Sequence, residues 1–135
     1  MNNNIPGYQK FLDMDKWYYI LVPVNKKASD ALSDYSFYDK EADKVKEGFL
    51  YMRFHEDHYY LMEEYLFNFI DAECDLLINM YEEEFADQDV LPSILEITER
   101  MIGSSDNEEF ILLANEFKEL VEKAIQFNTC IGFFF

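Results

Sequence analysis

The chain is poor in the residues from which most catalytic sites are built. It has two histidines, two cysteines and four glycines in 135 residues. The glycines, Gly7, Gly48, Gly103 and Gly132, stand far apart, which excludes a phosphate-cradling glycine loop. No Cys-x-x-Cys pair and no nucleophile elbow occur, so the common redox and hydrolase chemistries have no foothold. Cys74 and Cys130 are too few for a disulfide framework and point to a reducing compartment. The beginning, MNNNIPGYQKF, lacks the basic start and apolar stretch of a signal peptide. The apolar run over residues 17–24 is too short to cross a bilayer and contains Pro23. These absences predict a cytoplasmic chain that is not an enzyme and needs no cofactor.

Positive charge is scarce beside negative charge. The formal net charge is −17, from 28 acids against 11 bases. Nucleic acids and anionic membranes are bound through clusters of Lys and Arg, so neither is expected as a direct ligand. The imbalance is also uneven. Residues 1–53 hold eight acids and eight bases, whereas residues 54–135 hold twenty acids and only Arg100, Lys118 and Lys123. Between Phe54 and Glu99 there is no Lys or Arg. Helical surfaces usually mix the two signs, because opposite charges four residues apart stabilise a helix. That stabilisation is forgone here, and solubility or an oppositely charged partner would each account for it.

What the chain has is apolar and aromatic bulk. Hydrophobic residues make up 50% and aromatic residues 18%, enough to build a core rather than a disordered tail. Trp17, Tyr18, Tyr19, Ile20, Leu21 and Val22 read as a short buried strand, or a helix turn, ended by Pro23. Residues 28–47 read as a helical region stopped by Gly48, and residues 49–54 as a second short strand or the entry to the next helix. The clearest pattern covers residues 57–85, where Tyr59, Met62, Leu66, Phe69, Leu76 and Met80 recur at helical spacing. Glu64, Asp71, Asp75 and Glu82 form the opposite, acidic stripe of that helix. Glu82, Glu83 and Glu84 would then oppose its dipole. Pro92 and Gly103 bracket a third helix with Ile94, Ile97 and Met101 inward. Asp106 and Glu109 suggest a capping box opening a last helix, with Phe110, Leu113, Phe117, Leu120, Ala124 and Phe127 inward and a Glu119–Lys123 pair outside. The expected fold is one mainly α domain over residues 1–135. It would be a bundle of about four helices, with room for a small two- or three-stranded sheet from the Trp17 and Phe49 regions and the Phe-rich tail at residues 133–135.

Two constellations invite chemistry. His55 and His58, three apart on a helix, would share a face and could chelate a metal ion. The chain lacks the His-Glu-x-x-His spacing of zinc proteases and the Glu-x-x-His pairs of di-iron bundles. A helix start capped by Asp57, with no metal, is the simpler expectation. Glu63 and Glu64, or Glu82 to Glu84, could perform acid–base work only in a pocket that raises a carboxyl pKa, and an exposed helix face provides none. Tyr59, Tyr60, Tyr65 and Tyr81 suit the edge of a core, or an interface beside the acidic stripe.

Opposed potentials accelerate association and fix orientation. Nucleases and other nucleic-acid-processing proteins are basic because their substrate is a polyanion. The expected function is therefore a small binding inhibitor of a basic protein: an immunity protein for a bacterial nuclease toxin, or a nucleic-acid mimic. In build (small, acidic, without catalytic motifs) the chain is similar to bacterial immunity proteins, with no residue pattern specific to one family. The contact residues expected are Glu64, Asp71, Asp75 and Glu82, then Glu83, Glu84, Asp87 and Asp89, with Tyr81 as an aromatic anchor. The alternative is a helical adaptor or regulatory subunit that binds through its apolar face or its Phe-rich tail. Oligomeric state is left open by either reading.

Overall fold

The computed structural model describes residues 17–32, 37–79 and 83–135. Its centre is a four-stranded antiparallel sheet built from distant parts of the chain. Tyr18–Pro23 form β1, and Pro23, with no N–H to donate, closes it. A short helix α1, Lys26–Asp30, follows, its first turn capped by the Asn25 side chain, which accepts from the Ala28 N–H at 2.9 Å. Tyr38–Asp39 (β2) and Lys44–Val45 (β3) make a small hairpin, and Phe49–Phe54 form β4. The long helical stretch begins with Glu56–Met62 (α2), passes through a π-helical segment Glu63–Phe67, and ends with Asn68–Cys74 (α3). Glu83–Ala86 form β5, Leu91–Ser104 α4, Glu108–Phe127 α5 and Ile131–Phe134 β6.

The strand order is β4-β1-β6-β5, so the carboxy-terminal strand lies inside the sheet. Ile20 stands opposite both Met52 and Phe133, and Leu21 opposite Gly132 and Tyr51. Because side chains alternate along a strand, Tyr18, Ile20, Val22, Met52, Phe54, Ile131 and Phe133 all face the helices. There they meet Tyr59, Phe67, Ile94, Phe110, Phe117 and Ala124 in the main core. The opposite face carries a smaller core of Leu21, Leu32, Phe37 and Phe134 beneath the hairpin. Gly132 is demanded by that second core. A Cβ there would come within 2.7 Å of the Phe134 ring and 3.0 Å of Leu32. Thr129 locks the start of β6, its hydroxyl donating to the Pro23 carbonyl at 2.7 Å.

The fold is thus mixed α/β, and the mainly helical bundle expected from periodicity does not form. The strands anticipated around Trp17 and Phe49 do pair with each other, and the Phe-rich tail joins them. Two helical readings fail for identifiable reasons. Residues 28–47 turn at Asp39, whose carboxylate accepts the N–H groups of Glu41 and Ala42, both at 3.1 Å. That local bond competes with helix formation and sets up the hairpin instead. Gly48, at φ +100°, serves the turn into β4 and not a helix stop. Residues 57–85 break at Asp75, which adopts the left-handed conformation (φ 57°, ψ 47°). Asp71 reinforces the break, its carboxylate accepting the Ile78 N–H at 3.0 Å. Glu83 and Glu84 therefore lie on a strand, so they do not oppose a helix dipole. The last helix is capped one residue later than expected, by Asn107 accepting from the Phe110 N–H. Lys123 reaches Gln126 at 3.5 Å and forms no ion pair with Glu119.

No helix among the described residues is long and apolar enough to cross a membrane.

Candidate functional site

The two layers flanking the sheet differ in charge. The hairpin side balances Lys26, Lys27, Lys40, Lys44, Lys46 and Arg53 against Asp30, Asp39, Glu41, Asp43 and Glu47, whereas α2 to α5 and β5 carry the acids of the second half of the chain. Two of the three bases on the acidic side are already engaged between helices. Arg100 pairs with Glu73 and, at 4.0 Å, with Glu96, and Lys118 reaches Glu99 at 3.5 Å. Lys123 is hydrogen-bonded to Gln126. The acidic layer therefore presents mainly uncompensated carboxylates to solvent.

Of the nine residues expected to contact a partner, Tyr81 and Glu82 lie outside the described residues. The other seven fall into three places. Glu64 sits exposed on the π-segment. Asp71, Asp75 and Glu84 lie at the turn that leaves α3, and Glu83, next to Glu84 on β5, stands on the opposite face of the strand across from Phe134. Asp87 and Asp89 lie beyond β5 and line a cleft of about 590 Å³ with Lys26 and Asp30, themselves an ion pair at 3.7 Å. The single straight ridge assumed a helix running to Glu82, and the π-segment and the break at Asp75 divide it.

Two of the seven carboxylates hold the protein's own backbone. Asp71 binds the Ile78 N–H, and Glu84 accepts from Leu77 at 2.8 Å and from its own neighbour Phe85 at 2.9 Å. Since β5 is an edge strand, Glu84 stitches residues 76–79 to it and caps a backbone donor there. Burial, with the neighbouring charges of Glu84 and Glu63, pushes the Asp71 carboxyl up to about 6 despite the bond from Ile78. Glu64, Asp75, Glu83, Asp87 and Asp89 have no side-chain hydrogen bond or ion pair among the described residues, and these are free to meet a partner.

The π-segment shapes a feature that helical periodicity concealed. Its extra residue rotates the following turn, so that Ile70 goes to the core and Phe69, expected inward, is 42% exposed. Phe69, Tyr65 and Met101 wall a surface cleft of about 420 Å³ between this segment and the turn joining α4 to α5, with Glu64 and Asp106 also lining it. Nothing in the sequence marks a π-turn, and Asp106 reads as a cap; of this group Glu64 was legible as a contact residue and Tyr65 as a core-edge or interface residue.

The histidines do not converge. His55 stacks on Trp17 with ring centroids 3.8 Å apart, and Arg53 lies 4.0 Å from the same ring. His58 bonds Glu109 at 3.2 Å. Among the described residues no group of three metal-ligating side chains forms. Burial pushes both cysteine thiols up, Cys130 against the opposing bond from Ser29. A protonated thiol is a poor nucleophile. On the hairpin side a cleft of about 610 Å³ is walled by Trp17, Tyr19, Phe37, Tyr38 and Phe134, with Lys40 at its edge. The Tyr38 hydroxyl there is pushed up to about 12 by its bond to Asp43.

Compared with models of protein families, with curated proteins and with solved structures, the chain matches none.

Proposed function

We propose that the protein is a cytoplasmic binding inhibitor whose acidic helix-and-β5 side docks a basic protein, in the manner of an immunity protein for a nuclease toxin or of a nucleic-acid mimic. The observation that carries this reading is the surplus of unpaired carboxylates on the helices and at the edge strand β5, in the half of the chain that holds twenty acids and three bases. Glu64 and Asp75 on the helices, Glu83 on the edge strand, and Asp87 and Asp89 just beyond it face solvent without partners among the described residues, while Arg100, Lys118 and Lys123 are engaged internally. An inhibitor of this kind acts by occupying a cationic site, so it requires complementarity and no catalytic group. Asp71 and Glu84, which hold the backbone of residues 76–79, support the docking surface instead of touching the partner.

The tagged chain should recover one basic protein in a 1:1 complex from its host. A variant with Glu64, Asp75 and Glu83 reversed to Lys should fail to recover it, while retaining the wild-type circular dichroism spectrum. Equal recovery by the folded variant would remove these carboxylates from the interface. A second reading, an adaptor that binds through an apolar surface, draws on the aromatic cleft of the hairpin side. The Phe-rich tail is not available for it, since Phe133, Phe134 and Phe135 are buried. An adaptor's partner would survive high-salt washing and would be lost when Tyr19 and Tyr38 are replaced by Ala.

A further inference from the structure

We propose that the cleft between the π-segment and the α4–α5 turn receives an arginine side chain of the basic partner; the proposal rests on the acidic side being the docking surface. The cleft combines an apolar body with an anionic rim. Tyr65, Phe69 and Met101 provide the body, and Tyr65 is braced by the Phe110 ring at 5.3 Å. Glu64 and Asp106 provide the charge, and neither side chain has a hydrogen bond or ion pair among the described residues. No base lines the cleft, in contrast to the cleft holding Asp87 and Asp89, where Lys26 already stands. The two serines beside it are turned to backbone: Ser104 donates to Met101 at 3.3 Å and Ser105 accepts from Asn107 at 3.1 Å.

The backbone points to the same place. A π-turn is less favourable than the α-helix around it and is commonly kept where it positions a side chain for function. Here its consequence is the outward Phe69, an aromatic ring 42% exposed on a helix whose neighbours Leu66, Phe67 and Ile70 are fully buried. An arginine suits this combination better than a lysine. Its guanidinium is planar and weakly hydrated, stacks on aromatic faces and pairs with carboxylates, while its stem covers apolar surface.

The test titrates N-acetyl-L-arginine amide into the isotope-labelled full chain and follows backbone amide shifts. N-acetyl-citrulline amide serves as the neutral isostere and N-acetyl-lysine amide as the other cation. Arginine should shift residues 64–69 and 101–106, and citrulline should not. Glu64→Gln combined with Asp106→Asn should weaken the arginine response about tenfold, as should Phe69→Ala. A lysine response equal to that of arginine would overturn the guanidinium assignment. Arginine shifts at Glu83, Asp87 and Asp89 that bypass the cleft would overturn the cleft and leave the docking surface standing. Absence of any localised shift overturns the cleft too, and recovery of a basic partner by the wild type then decides the docking reading separately.

Discussion

Replacing Asp71 by Asn should stabilise the protein at neutral pH, although Asp71 makes a hydrogen bond that looks indispensable. Its carboxylate accepts the Ile78 N–H at 3.0 Å, and the amide oxygen of Asn can accept the same bond. What the substitution removes is a half-buried negative charge near Glu84 and Glu63. The folded-state pKa is about 6 against an ordinary 3.8. Because it is raised, the folded protein holds this proton more tightly than the unfolded chain. The contribution is therefore fully present below the ordinary pKa, is lost as pH rises through about 6, and is absent at pH 7. A shift of that size corresponds to about 3 kcal/mol without screening. The group is partly exposed and water screens it, so about 1 kcal/mol is the expected gain for Asp71→Asn. That is about 3–5 °C in Tm for a domain of this length. Urea unfolding of both proteins at neutral and at mildly acidic pH supplies the assay. Acidification relieves self-repulsion in both, so the difference between them isolates Asp71. The gain should shrink as pH falls below about 6 and vanish near 4. A destabilised variant at pH 7, or a difference that ignores pH, would refute the reasoning.

Gly132→Ala should cost about 1–3 kcal/mol by overpacking, because the new methyl group would meet Phe134 and Leu32 at 2.7 and 3.0 Å; an unchanged urea midpoint would contradict it. Asp75→Gly should stabilise by about 0.5–1 kcal/mol, since glycine adopts the left-handed helix stop without steric penalty, and thermal unfolding would read the gain. Phe133→Ala should destabilise by about 3–5 kcal/mol, the ring being wholly buried in a central strand against Phe67 and Phe117; loss of partner binding with full stability would instead revive a docking role for the tail.

The sequence was most legible where local signals and tertiary packing agree. Pro23 ends β1, Pro92 opens α4, and Phe110, Phe117, Leu120 and Ala124 of the last stripe are buried as their spacing implies. Elsewhere packing or side-chain bonds overrode the pattern. Leu76 and Leu77 continue the helical spacing of α3, yet the left-handed Asp75 and the Asp71 carboxylate stop the helix before them. Glu83–Ala86 read as the end of an acidic helix, and their strand form comes from pairing with Ile131–Phe134, a contact across the chain that no local window contains. The hairpin was hidden because a single Asp39 turn decides against a helix whose residues are otherwise tolerable. For the candidate site, the excess of acids and their location after Phe54 were legible, and so were the exposed Glu64 and Glu83. Which carboxylates hold backbone and which stay free was not legible, nor was the exposed Phe69, since each depends on where the chain turns.

If unpaired carboxylates on the helix-and-β5 side draw in a basic partner, the encounter of the two proteins must depend on salt. The most direct measurement is the association rate of the recovered partner with the wild-type chain as ionic strength is raised from low to physiological. Electrostatic docking predicts a steep fall in the association rate, by an order of magnitude or more, with a smaller change in dissociation. An association rate that ignores salt would contradict it and leave the acidity as a property of the solvated surface alone.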